Sequence, residues 1–287
     1  MEEISSAILG LGMAPAIPQY GLHGSRHSPY LKSALVRQAV ESGIGYIDTA
    51  ANYGDAERYL GELSQTLAEK QIRVCTKLTK TEFPGGLHSS LERLRCDRLD
   101  TLLLHSPTNE DLLDGSVAEA FGVVREMDRV SRTGASTYGT QTALSALEQP
   151  WCDVLQVEHS ILNPSVAPDV TKSRGDLELV VRSVLCKGLL TERRRHMPAG
   201  YAEIVSLVDD LEKLAVDWDY TLPELAVRYA MDTPGVNVVL IGVGNPIELE
   251  TVLSAQEREP LEKAQMLLLG QFDRSSNPAV HPEQWKL

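Results

Sequence analysis

The amino-acid sequence predicts one α/β domain over residues 1–287, a closed (β/α)8 TIM barrel with an irregular tail from about residue 275 to 287. Three observations lead there. Short apolar segments and amphipathic segments alternate about eight times, in a chain close to the ~250 residues that such barrels take. The short segments are apolar on both sides, as in a parallel sheet covered on both faces. A doubly wound sheet would carry a glycine-rich phosphate turn after its first strand. Here Ile8-Leu9-Gly10-Leu11-Gly12 has two glycines, no third, and Pro15 follows.

Each element follows from its pattern. Ile8 to Gly12 makes the first strand, and a Gly/Pro/His-rich loop runs on to Pro29. Leu31, Ala34, Leu35, Ala39 and Val40 fall at helical spacing between Tyr30 and Ser42. The second strand ends on Asp48, a helix covers Glu57 to Glu69, and strand three is Arg73 to Lys77. Gly85 opens a helix with Leu87, Leu91 and Leu94 inward, and Arg98-Leu99-Asp100 turns into strand four, ending at His105. A helix is predicted from Val117 to Val130, with Val117, Phe121, Val124 and Met127 on its buried face. Strand five, Thr133 to Ser136, is short; a helix from Thr140 to Leu147 and strand six, Asp153 to Glu158, come next. Strand seven is Leu177 to Ser183, extended by the loop Val184 to Leu190. Helices over Tyr201 to Val216 and Leu222 to Met231 precede strand eight, Asn237 to Ile241. Helices over Pro246 to Ala255 and Pro260 to Leu269 close the regular part.

Composition narrows the function classes. A net charge of −13 argues against a nucleic-acid surface, which needs a basic stripe. The start, Met1-Glu2-Glu3, lacks the basic region of a signal peptide, and no apolar run nears the ~20 residues of a membrane helix. Cys75, Cys96, Cys152 and Cys186 are scattered without a CxxC pair, as in a reduced, cytoplasmic protein. The seven histidines show no ligand spacing, so no metal site is expected; His23 and His27 lie four apart, but in a loop.

Three consecutive strands end on chemically capable groups. Asp48 closes strand two, with Tyr53 in the loop beyond it. Lys77 closes Val74-Cys75-Thr76-Lys77, and His105 closes Leu102-Leu103-Leu104-His105. If these strands are parallel neighbours, an acid, a phenol, an amine and an imidazole meet at the C-terminal face, where barrels of this class keep their catalytic groups. A phenol's reference pKa near ~10 is too high for good proton transfer at neutral pH. A neighbouring ammonium stabilises phenolate and lowers that value. The expectation is that Lys77 acidifies Tyr53, Asp48 holds Lys77 charged, and His105 hydrogen-bonds a substrate oxygen. Such a set hands a proton to a carbonyl oxygen as hydride reaches the carbon, or runs in reverse.

Gly45-Tyr46-Ile47-Asp48-Thr49-Ala50-Ala51-Asn52-Tyr53-Gly54, with Glu57 and Leu60-Gly61, resembles the signature of the aldo-keto reductases. So does Leu91-Glu92-Arg93-Leu94 leading into Asp97-Arg98-Leu99-Asp100 and His105. The resemblance runs from strand one to strand eight. It implies that Asp48, Tyr53, Lys77 and His105 form the family's catalytic tetrad, with Tyr53 as general acid/base. It also implies a nicotinamide cofactor, NAD(P)H, bound in extended form across the barrel mouth. Ser136, Thr137 and Gln156 would then touch the nicotinamide carboxamide, and Arg182 would take the place of the residue that stacks on the ring. Ser183, Leu185 and Gly188, within Val184 to Leu190, would wrap the pyrophosphate. Gly242, Gly244 and Asn245 could cradle phosphate through backbone N–H groups at a helix start. Glu248 falls about where members preferring NADPH carry an arginine, and a carboxylate there favours NADH.

The loop Ser106 to Gly115 is brief, so an open, polar pocket is expected, lined by Arg26, His27, Tyr30, His159, His281 and Trp285. Similarity to bacterial members found with sugar and surface-polysaccharide enzymes points to a sugar or sugar-like carbonyl or lactol. A cofactor-binding sensor on the same fold, with little turnover, and a barrel hydrolase or epimerase are the alternatives.

Overall fold

The computed structural model describes residues 7–16, 22, 29–164, 170, 177–281 and 284–285. Eight parallel strands close in chain order: β1 (Ile8–Gly12), β2 (Tyr46–Asp48), β3 (Arg73–Leu78), β4 (Leu99–His105), β5 (Val130–Ser136), β6 (Val154–Glu158), β7 (Glu178–Arg182) and β8 (Val238–Ile241). β8 pairs with β1, so the sheet has no edge.

Side chains alternate along each strand, and the alternation makes two cores. Tyr46, Cys75, Leu103, Val154, Val180, Val238 and Leu240 form a buried cluster of their own inside the barrel. Their strand neighbours, such as Ile47, Leu102, Leu104, Leu155, Leu179, Val181 and Val239, join the larger core between strands and helices. Over the middle of the strands both faces are therefore largely buried, which is why these segments lack a polar stripe.

The signature residues outside the chemistry are packing devices. Glu57 is buried at the start of the helix Ala56–Glu62 and accepts from Thr76 Oγ1 on β3 (2.6 Å) and from Arg93 Nε (2.6 Å) on the helix Gly86–Leu94. A Cβ on Gly61 would stand 2.1 Å from the Arg93 carbonyl oxygen, so only glycine permits this approach of the two helices. The turn carrying Tyr53 is thereby anchored just before its helix.

Several boundaries differ from those predicted. The helix Gly115–Glu126 stops short of the predicted Val130, because Asp128 turns left-handed (φ 51°) and releases the chain into β5 at Val130. Met127, assigned to the buried face, is 52% exposed. The predicted helix Glu57 to Glu69 is two helices, Ala56–Glu62 and Ser64–Glu69, broken at Leu63. The loop after β4 holds a helix, Asn109–Leu113, started by a Thr108–Asp111 capping box. The last predicted helix begins at Lys263 rather than Pro260.

Candidate active site

Strand register brings the predicted groups to one rim. Asp48 pairs with Cys75, so Lys77 stands two residues above it; Lys77 pairs with Leu103, and His105 stands two above that. His105 pairs with Ser136, Ser136 with Gln156, and Glu158 with Arg182.

Lys77 is the centre of this rim and is buried, as is Asp48. Its ammonium donates to Asp48 Oδ2 (2.6 Å) and to the Thr49 carbonyl oxygen (2.8 Å), and lies 5.1 Å from the centroid of the Tyr53 ring. Tyr53 and His105 meet edge to face, with ring centroids 5.7 Å apart. The four groups predicted from three strand ends are thus brought together.

Their titration is set by burial and by one another. Burial alone would lower the Lys77 pKa, but the Asp48 carboxylate outweighs it and holds the amine charged, above the ordinary lysine value. Burial, then Lys77 and Arg182, push His105 down to about 3, so the imidazole is neutral at pH 7. Tyr53 corrects an expectation. Burial raises its phenol above 10 by more than the Lys77 ammonium lowers it, so the free protein holds a protonated tyrosine at neutral pH.

The residues assigned to the carboxamide make a chain. Ser136 Oγ donates to Gln156 Oε1 (3.0 Å), and Gln156 Nε2 donates to Asp48 Oδ1 (2.8 Å). The hydroxyl of Thr137 is buried without a protein partner. Arg182 donates to the Thr137 carbonyl oxygen (2.7 Å) and to Ser183 Oγ (3.2 Å), and its guanidinium lies 4.0 Å over the ring of Tyr138. Tyr138 and Glu158 escaped the sequence reading. Glu158 accepts from the Gly139 amide (2.8 Å) and stands 3.7 Å from Arg182. The only hint in the sequence was their adjacency to Thr137 and to strand six.

The loop after β7 is strained. Ser183, Cys186 and Lys187 are all left-handed, with φ between 45° and 63°. Gly188 is left-handed too (φ 106°), and Leu185 is half-buried against the core. Two arginines staple the segment beyond this loop. Arg194 is buried between Asp209 and Glu212 of the helix Ala202–Asp217. Arg193, also unforeseen, pairs with Glu248 across the gap to the β8 loop.

Glu248 is not a free carboxylate. Its Oε2 accepts from the Gly244 amide (2.7 Å), and its Oε1 from Asn245 Nδ2 (2.9 Å) as well as from Arg193. Asn245 caps the helix Pro246–Glu257 by accepting from the Glu248 amide. The phosphate cradle expected at Gly242 to Asn245 is therefore partly filled from within, with Gly242 left exposed.

The expected pocket lining is brought together in part. His159 is buried, bonded to Thr233 Oγ1 (2.9 Å) and stacked on Tyr229. Trp285 donates to the Ala279 carbonyl oxygen (2.9 Å) and packs on Tyr201. His281 reaches the Ser275 carbonyl oxygen and, together with His159, lines a small cavity beside Glu158, Ser160 and Ser183. Arg26, His27 and the side chain of Tyr30 lie outside the described residues. Among those residues, no helix is long and apolar enough to cross a membrane.

Comparison with known proteins adds to this geometry. The family model "Aldo/keto reductase family" matches residues 9–274. The chain is similar to a D-threo-aldose 1-dehydrogenase of Pseudomonas sp, 26% identical over 264 residues, covering 75% of this chain and 80% of that one. Its backbone is similar to the holo form of an aldo-keto reductase from Bacillus halodurans: TM-score 0.79, 22% identity, covering 94% of this chain and 93% of that one. It is also similar to a Klebsiella pneumoniae aldo-keto reductase in complex with NADPH: TM-score 0.70, 19% identity, covering 92% and 89%.

Proposed function

Since the chain belongs to the aldo/keto reductase family, and is an NAD(P)H-dependent oxidoreductase acting on carbonyls, we propose that Tyr53 is its general acid and that its substrate is a sugar or sugar-like carbonyl. The observation that carries the proposal is the buried ammonium of Lys77, fixed between Asp48 and the Thr49 carbonyl beside the Tyr53 ring. When bound, NAD(P)H would be held beside Thr137 and Arg182 and would supply hydride chemistry at the carbonyl carbon. Tyr53 gives its proton to the carbonyl oxygen, and Lys77 stabilises the phenolate left behind. Asp48 keeps Lys77 charged and in place. His105, held neutral, donates a hydrogen bond to the same oxygen. A phenol that holds its proton at pH 7 favours reduction there, and oxidation is expected to need alkaline pH.

The residues fit the cofactor. The orphaned Thr137 hydroxyl is a buried group of the kind a carboxamide satisfies. Arg182, lying flat on Tyr138, offers a planar face. NADH is the preferred form in this reading. A 2′-phosphate would have to displace Glu248 from the Gly244 amide, whereas a free ribose hydroxyl can donate to that carboxylate. The sugar class is supported by the name of the Pseudomonas relative and by the polar rim. A cytoplasmic site is supported only by four cysteines of which none is in a disulfide.

Tryptophan-fluorescence titration with NADH and NADPH, followed by a panel of aldoses and short aldehydes, tests this. Tyr53→Phe should lower turnover by about 10²–10⁴-fold and leave NADH binding intact. Undiminished turnover in that variant would remove Tyr53 from the chemistry. Tight binding with no turnover on any substrate would favour the sensor.

A further inference from the structure

We infer that Gln156 is a positioning residue for the proton-transfer group, clamping Asp48 so that a single carboxylate oxygen faces Lys77. Gln156 sits on β6 and Asp48 on β2, four strands apart in a ring of eight, so the amide reaches across the lumen. It is completely buried, and both ends of its amide are engaged, Nε2 on Asp48 Oδ1 and Oε1 on Ser136 Oγ. The orientation is dictated by chemistry. A carboxylate only accepts, so the amide nitrogen must face Asp48, and the oxygen is left for the Ser136 hydroxyl.

The clamp matters because a carboxylate has two equivalent oxygens. Oδ2 takes the ammonium at 2.6 Å while Oδ1 takes the amide at 2.8 Å. Without the second, charge-assisted bond, both oxygens are free to turn onto Lys77. The ammonium would then be drawn toward β2 and away from the phenol. Asp48's field on Tyr53, which opposes ionisation, would be less compensated. Gln156 keeps one N–H and one lone pair spare, so contact with a carboxamide remains open. The two roles predict different things.

The inference rests on Tyr53 being the acid, and its test is separable from the test of that reading. Phenolate ultraviolet absorbance is titrated without turnover, as the difference between each protein and its Tyr53→Phe counterpart. In Gln156→Leu the Tyr53 midpoint should move up by about one pH unit. Reduction of glyceraldehyde at saturating NADH should fall on the order of tenfold or more. Ser136→Ala, which only loosens the far end of the amide, should move the midpoint the same way by less, and it decides the matter if Gln156→Leu does not fold. An unmoved midpoint overturns the inference, and with a tenfold loss of NADH affinity it makes Gln156 a cofactor contact alone. If Tyr53→Phe keeps its turnover, the acid assignment fails while the midpoint still reports on the clamp.

Discussion

Two polar clusters occupy the two ends of one barrel, and the same strands supply both. β3 places Arg73 at the floor and Lys77 at the mouth; β7 places Glu178 at the floor and Arg182 at the mouth. Between them lies the apolar waist of Tyr46, Cys75, Leu103, Val154, Val180, Val238 and Leu240. At the floor the charges answer one another. Glu178 takes Arg73 (2.7 Å) and Arg132, Arg132 also takes Asp100 (2.7 Å), and Arg73 lies over the Tyr46 ring. At the mouth one buried ammonium has one carboxylate, two buried hydroxyls (Thr49 and Thr137) have no partner, and the titration of the lysine, the phenol and the imidazole is displaced. Matched ions make a plug. Unmatched groups that must wait for another molecule make a site.

The largest break in this comparison comes from Lys77→Met. Asp48 would remain buried with Gln156 as its remaining side-chain partner, a loss of about 3–5 kcal/mol for removing one member of a buried pair. Turnover should also fall by about 10²–10⁴-fold, because the Tyr53 phenolate loses its cation. Urea unfolding and steady-state rates measure the two effects. A variant that is inactive but undiminished in stability would show that the pair does not anchor the mouth.

The difference between the ends also explains what the sequence disclosed. Asp48, Lys77 and His105 were legible because each closes an apolar strand, and strand ends at a barrel's C-terminal face converge whatever the loops do. The barrel itself was legible from strands apolar on both sides. What failed were quantities that depend on the third dimension. Burial of Tyr53 outweighs the ammonium beside it, and no spacing in the sequence shows how much water a loop excludes. Glu248 read as a free carboxylate because Arg193 is 55 residues away in the chain. Trp285 read as a pocket residue because sequence position says nothing about which way a side chain turns. The helix ending at Glu126 was overrun because apolar residues continue at Met127 and Val130, on either side of the point where the backbone breaks at Asp128.

Acid sensitivity should come from the mouth side. His159, just beyond β6, is pushed down to about 4 by burial, from an ordinary value near 6.5. An unfolded chain takes up a proton there below pH 6.5 that the folded chain refuses until near pH 4. Stability therefore falls as pH drops through that window and is untouched above it. The gap is worth roughly 3 kcal/mol at its lower end. His159→Phe keeps the stacking on Tyr229 and loses the bond to Thr233, which lowers stability by the same amount at every pH and removes the proton uptake. Urea titrations from pH 7 to pH 4 should show a shallower fall in the variant, and parallel curves would assign the acid loss elsewhere.

The smallest effect is the most pointed. Glu178→Gln leaves two floor arginines without their shared carboxylate, but all three side chains keep some contact with water, at 12% for the glutamate and 29% for each arginine. Screening then limits the loss to about 1–2 kcal/mol, which a thermal melt resolves as a drop of a few degrees. Turnover and NADH affinity should stay within about twofold, since the waist has no polar side chain except Tyr46 and Cys75 through which to pass the change upward. A Glu178→Gln protein with a moved Tyr53 midpoint would mean that the lumen transmits charge from end to end, and that Lys77 answers to Arg73 and Glu178 as well as to Asp48.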